Sequence, residues 1–163
     1  MVEHGIYFAQ SHYYDVIRTL GGEWNDTKER PIVCLIKLKE QDKIYWAIPM
    51  GNLNHRTPKA KERIQSYINR DKRDIASCYY HVGRTTTTTI FFISDVIPIT
   101  DKYIDREYLG YDKQLYIIKN PKLINELQSK LKRILFFENN HRNYFRQHIS
   151  DIKDFLLSEL AED

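Results

Sequence analysis

The chain has 163 residues and a formal net charge of +3 at pH 7, and it includes 12 Tyr and 7 Phe. This length predicts one domain with a sizeable core, and the mildly basic balance permits a nucleic-acid partner without requiring one. Two lone cysteines, Cys34 and Cys78, exclude a thiol-based zinc site and predict buried free thiols in a reducing compartment. With no apolar run of membrane-spanning length and no signal-peptide pattern, we expect a soluble, cytoplasmic protein.

The first third of the chain alternates short apolar segments with polar turns. Residues 6–9 predict a strand, and Ser11 is expected to cap a helix over 12–20 that stops at two glycines. The charged segment 23–30 predicts a loop. Two apolar runs, 32–38 and 44–48, flank a polar turn and therefore predict a β-hairpin.

The end of the second hairpin strand carries an unusual concentration of hydrogen-bond donors. Pro49 has no N–H and is expected to end the strand, while Gly51 lets the backbone turn or approach a ligand closely. Four donor-bearing side chains follow, with no acid among them: Asn52, Asn54, His55 and Arg56. Such a loop suits an anion, of which phosphate is the commonest in biology, although Asn, Gly and His are also ordinary turn residues.

The remaining segments predict a further hairpin and three more helices. The five threonines of 85–89 are good strand formers, so we expect them to begin a long strand. The predicted elements are a helix over 57–70, strands over 76–82 and 85–93, a bulge at 94–95 before 96–99, a strand over 115–118, and helices over 120–137 and from 150 onwards. The whole pattern predicts an α+β fold: a small antiparallel barrel with inserted and C-terminal helices.

The order of these segments resembles the toxin component of type III toxin–antitoxin systems, closest to the TenpN and CptN branch of the ToxN/AbiQ-like ribonucleases. The likeness runs from about Ile6 to Leu160. It is carried by the helix start Ser11-His12-Tyr13, the hairpin PIVCLIK (31–37) with IYWAIP (44–49), the segment IFFISD (90–95) with Pro98, and a Lys/Leu-rich helix.

The resemblance implies a fold like that of the Kid/MazF group, an SH3-like antiparallel barrel, in a single domain over 1–163. It also implies an endoribonuclease that needs no metal or other cofactor. Such toxins cut the precursor of a small repetitive RNA antitoxin and are then inhibited by the folded repeats, in an assembly with several copies of each. Phage defence is a common setting for these systems.

The family pattern also places the site. Family toxins have a basic residue just before the first hairpin strand, where this chain has Lys28 and Arg30. After the second hairpin strand the ToxN branch has hydroxyl residues and then a lysine. This chain has MGNLNHR (50–56) there, and that departure shifts the prediction to His55 and Arg56.

Metal-free RNA cleavage needs proton transfer and stabilisation of charge on phosphorus. Histidine suits the first task and arginine, by bidentate contact, the second. The predicted catalytic residues are Arg30, Asn52, His55 and Arg56. The predicted RNA contacts are Ser11, His12, Tyr13, Lys28, Gly51 and Lys59, with Tyr13 stacking on a base. A non-catalytic RNA-binding module and a protein-interaction domain remain as alternatives.

Overall fold

Seven antiparallel strands form one sheet in the computed structural model, which describes residues 1–163. The strands are β1 (Ile6–Ala9), β2 (Ile32–Lys37), β3 (Tyr45–Asn52), β4 (Tyr80–Arg84), β5 (Thr88–Phe92), β6 (Ile97–Ile99) and β7 (Ile104–Glu107). Their order is β4-β5-β3-β2-β1-β7, and β6 pairs with β3. The predicted α+β class and antiparallel sheet are confirmed, and no pairing joins β4 to β7 across the two ends of the sheet.

Four α-helices complete the fold. They are α1 (Ser11–Thr19), α2 (Pro58–Ile68), α3 (Pro121–Asn140) and α4 (Ile149–Ala161). The predicted starts of α2 and α3 are confirmed, because Thr57 accepts from the N–H of Ala60 and Asn120 accepts from the N–H of Lys122. The predicted cap of α1 is wrong: Ser11 is already helical, and no side chain caps this helix.

Pro49 does not end β3, contrary to prediction. Successive N–H groups of a strand point to opposite edges, and the Met50 N–H donates to the Pro31 carbonyl on the β2 side. The missing donor of Pro49 therefore falls on the other edge. On that edge the pairing with β6 ends at Ala47 and the pairing with β5 begins at Met50. Proline is tolerated because it stands where the ladder is interrupted.

The interruption lies where a bulge was predicted, at 94–95, but it is a 3₁₀ turn rather than a β-bulge. The three residues Ile93–Asp95 form a 3₁₀ turn between β5 and β6. These two strands follow one another in the chain, and both pair with the same edge of β3. The turn therefore leaves Ser94 and Asp95 unpaired with β3.

Three predicted strands differ from the structure. Thr85–Thr87 belong to a turn, in which the Thr85 N–H donates to the Thr87 carbonyl, so β5 begins only at Thr88. Residues Ile75–Cys78 form a 3₁₀ turn before β4, and Cys78 lies there, outside any strand. Residues 115–118 make only isolated bridges, whereas the polar β7 was not predicted. Both cysteines are free and buried, as predicted.

One continuous core joins the sheet to the helices. The apolar side of α3 contributes Leu123, Leu127, Leu131 and Ile134, as its periodicity predicts, and these residues join the β2 and β3 side chains in a single cluster. None of the helices combines the length and apolar character needed to cross a membrane.

Candidate functional site

Two arginines share one aromatic ring at the end of the sheet. Arg30 stands just before β2, and Arg56 follows the 3₁₀ turn (Leu53–His55) that leaves β3. Their guanidinium carbons lie 4.6 Å and 5.4 Å from the centroid of the Phe92 ring, at the end of β5. Both distances are within the range of cation–π attraction. The ring therefore holds together two cations that lie far apart in sequence.

Gly51 makes room for this pair. A Cβ atom at this position would lie 2.9 Å from Nη1 of Arg30 and 2.9 Å from Nη2 of Arg56, closer than side chains normally approach. The absence of a side chain, rather than any special backbone angle, is what the position requires. The close approach at Gly51 is made by two protein side chains, and its predicted approach to a ligand stays a prediction.

The positive charge of the pair is not neutralised within the chain. Neither arginine forms a salt bridge, because the neighbouring acids Glu29 and Asp95 are paired with Arg106 and Arg146. Burial lowers the pKa of Arg30 and the adjacent positive charge of Arg56 lowers it further, while the charge of Asp95 opposes both effects in part. Bringing these like charges together costs free energy that a bound anion would offset.

A third arginine comes from the loop between α3 and α4. Arg146 donates to both carboxylate oxygens of Asp95, at 3.2 and 3.0 Å, and the charge of Asp95 raises the pKa of Arg146. The neighbouring Gln147 is fully buried and donates to the carbonyls of Ser94 and Val96, each at 2.8 Å. These contacts fix the α3–α4 loop against the 3₁₀ turn Ile93–Asp95, so Arg146 is held in place.

The arginines border two adjoining recesses. The larger is a cleft of about 600 Å³, lined by Arg146 and a series of aromatic residues. The smaller, of about 200 Å³, is lined by Asn52 and His55. Lys28, Arg30 and Arg56 line both recesses. We call the larger recess the arginine cleft and the smaller one the histidine recess.

His55 is exposed in the histidine recess, and Asn52 partly orients it. The Asn52 side-chain oxygen accepts from the Asn54 N–H at 2.9 Å, which fixes the direction of the amide. Its nitrogen Nδ2 then lies 3.5 Å from Nε2 of His55, at the outer limit of a hydrogen bond. All four predicted catalytic residues therefore line one recess.

Five of the six predicted RNA contacts fall into three groups. Lys28 and Gly51 lie at the arginines. Lys59 is exposed on the first turn of α2 but lines neither recess. Ser11 and His12 line a third recess with Asp26, Asp105 and Glu29, and Glu29 also lines the histidine recess. No lysine or arginine lines the third recess, which makes it an unfavourable setting for phosphate.

The predicted stacking role of Tyr13 is wrong. Its side chain is completely buried, its hydroxyl donates to the Pro98 carbonyl, and its ring stacks on Tyr103 with the centroids 4.4 Å apart. A ring enclosed in the core has no face free for a base.

The structure adds site residues that the sequence analysis did not identify, chiefly Phe92, Asp95 and Arg146. Phe92 lies in an apolar strand segment, where a phenylalanine is expected to be a core residue. Arg146 lies in a loop with no distinguishing motif. For Asp95, the one sequence feature that could have indicated a special role was the bulge predicted at 94–95. No group of three or more His, Cys, Asp or Glu side chains is placed to hold a metal ion.

Comparison with known proteins adds no relative, since no protein-family model matches the chain and no curated protein matches it. The fold and the site define an α+β protein with an arginine-lined cleft beside an exposed histidine.

Proposed function

We propose that this protein is a metal-independent endoribonuclease, the toxin of a type III toxin–antitoxin system, acting in the cytoplasm. The observation that carries the proposal is the pair of uncompensated guanidinium groups, Arg30 and Arg56, bordering the recess that holds His55. Arginine pairs of this kind bind phosphate bidentately, and the nearby imidazole supplies a group for proton transfer.

The chemistry follows from the RNA itself. The 2′-oxygen attacks the adjacent phosphorus, the bond from phosphorus to the 5′-oxygen breaks, and the products are a 2′,3′-cyclic phosphate and a 5′-hydroxyl. Arg30 and Arg56 hold the non-bridging oxygens and stabilise the extra negative charge of the transition state. His55 moves a proton, either from the attacking 2′-hydroxyl or to the leaving 5′-oxygen. Asn52 orients the imidazole through its amide nitrogen.

The fold proposed with this function is the SH3-like barrel of the Kid/MazF group, with helices inserted and appended. Its support is the arrangement around β3, which pairs with β2 on one edge and with both β5 and β6 on the other. The register shifts in the β1–β7 and β2–β3 pairings add support, because a bulge bends a strand and increases its twist, as the curvature of a small barrel requires.

Removing divalent metal should leave RNA cleavage unchanged. Incubation of the purified protein with RNA in EDTA is expected to give fragments with 2′,3′-cyclic phosphate ends, because guanidinium groups supply the positive charge. An RNA with a single 2′-deoxy sugar at the cut site should be inert there. Activity that disappears in EDTA and returns with magnesium would overturn this mechanism.

The same experiment separates the main alternative, a non-catalytic RNA-binding module. Two observations favour that alternative: His55 is exposed, and its one polar contact is long, so the imidazole is only weakly oriented. Phosphate binding would need the arginines alone. A module of that kind would retain RNA without shortening it.

A small structured repeat RNA is the proposed inhibitor, bound in a multimeric protein–RNA assembly. Protein purified at low salt from cells carrying the native locus should bring down RNA of uniform short length. Raising the salt concentration should release it steeply, because each phosphate that is neutralised displaces counterions. A complex that shows no excess absorbance at 260 nm and contains a second small protein would contradict the type III assignment.

A further inference from the structure

Seven aromatic residues line the arginine cleft, and all but Trp24 form an unbroken series of neighbouring rings. The series begins at Phe92, under the two arginines, and continues through Tyr80, Tyr67, Tyr79, Phe145 and Tyr144. Successive centroids lie 6.1, 5.5, 5.8, 5.9 and 5.2 Å apart. We call these six residues the aromatic row.

Core packing explains only part of the aromatic row: Phe145 belongs to the core cluster and Tyr79 packs against it, but the other four do not. Of its members only Phe145 is buried, at 6% exposed, whereas Tyr144 is 56% exposed and the other four are partly exposed. A tyrosine that packs only for stability buries its ring, as Tyr13 does. Here several rings line an open cleft, and they come from elements as distant as α2, β4 and the α3–α4 loop.

The charge of the cleft indicates what these rings meet. Five cationic side chains line it, Lys28, Arg30, Arg56, Arg63 and Arg146, against one carboxylate, Asp95, which is already paired. A ligand that complements both features is a polyanion with flat apolar faces. An unpaired nucleic-acid strand has that chemistry, because its phosphates alternate with bases whose faces are free. A base-paired helix hides those faces, and an uncharged peptide leaves the cations unused.

We propose that the aromatic row is a base-stacking subsite, in which bases flanking the phosphate held by Arg30 and Arg56 lie against Tyr67, Tyr80 and Tyr144. This inference rests on the proposed function and adds the residues that position the strand. We call Arg30 and Arg56 the phosphate clamp. In this arrangement the clamp fixes where the RNA backbone enters the histidine recess, and the aromatic row holds the nucleotides beside that point. Stacking accepts any base, so the row contributes affinity and a requirement for unpaired RNA more than a sequence code.

The test separates stacking from charge with two short 2′-deoxy oligonucleotides of equal length and charge. One carries bases at every position and the other is abasic throughout, and neither has the 2′-hydroxyl that cleavage needs. Binding is measured by fluorescence anisotropy at low salt. The native protein should bind the base-bearing probe more tightly than the abasic probe.

Tyr144→Ala should weaken binding of the base-bearing probe by roughly 5- to 150-fold and leave the abasic probe unaffected, as expected for the loss of one stacked base. Tyr144→Phe, which keeps the ring, should bind both probes as the native protein does. Tyr111→Ala is the matched control, because Tyr111 is 89% exposed and lies outside the cleft. Circular dichroism confirms that each variant is folded.

Two outcomes would overturn the subsite, and they are distinguishable. If the native protein binds both probes equally and Arg56→Ala weakens both, the clamp stands and the aromatic row does not stack on bases. If the native protein binds neither probe, the proposed nucleic-acid function fails together with the subsite.

Discussion

Arg56→Ala is expected to reduce RNA cleavage by about 10²–10³-fold, the usual loss when one group that stabilises transition-state charge is removed. Arg30→Ala should have an effect of similar size, because both guanidinium groups border the same recess. Arg56→Lys keeps the charge but loses the bidentate geometry, so we expect it to recover only part of the activity. Single-turnover cleavage of a labelled RNA measures all three.

Stability should respond differently from activity. The two arginines repel one another and form no salt bridge, which offsets the loss of their cation–π contacts with Phe92, so removing either should change the melting temperature little. Arg133→Ala is the charge-matched control, since Arg133 is exposed on α3 and lies outside the cleft. If Arg133→Ala lowers cleavage as much as Arg56→Ala does, the clamp is misassigned and only net charge matters.

Gly51→Ala tests the same cluster without removing a charge. Its added methyl group would occupy space now taken by the ends of both guanidinium groups. These ends are flexible, so the chain should still fold while the arginines separate. Loss of cleavage with a retained melting temperature is the expected result, and unchanged cleavage would show that the observed spacing is not required.

The parts of this fold that sequence predicts well are those governed by neighbours in the chain. The caps Thr57 and Asn120 act within three residues, and the hairpin of β2 and β3 is set by apolar runs around a short polar turn. The departures have long-range causes. Pro49 stays in a strand because the 3₁₀ turn Ile93–Asp95, more than forty residues later in the chain, interrupts the pairing opposite it. Local strand propensity contains no information about such a distant segment.

The same division applies to the site. Arg30 and Arg56 flank the predicted hairpin, and the family resemblance implies functional residues at both of its ends, so the two arginines were expected near each other. Phe92 and Arg146 arrive from β5 and from the α3–α4 loop, and nothing near them in sequence distinguishes them from core and solvent residues. Tyr13 shows the reverse error. A tyrosine beside a polar helix start suggests an exposed ring, but the helix turns that residue into the core.

His55→Ala should lower cleavage by about 10²–10⁴-fold, the range for loss of a general acid or base. The side chain is exposed, and its one polar contact is the long approach of Asn52, so its removal should not affect folding. His141→Ala provides the control, because that histidine is also exposed and lines neither recess. Cleavage by His55→Ala at the native rate would exclude His55 from the chemistry.

A modified substrate then decides which proton His55 moves. Replacing the leaving 5′-oxygen by sulfur gives a leaving group that departs as a thiolate and needs no proton. If His55 is the general acid, His55→Ala should cut the sulfur substrate at nearly the native rate while remaining slow on ordinary RNA. If His55 is the base, the variant should be equally impaired on both, because the 2′-hydroxyl still has to lose its proton. Arg56→Ala should be slow on both substrates in either case, since the phosphate must still be held while its negative charge grows.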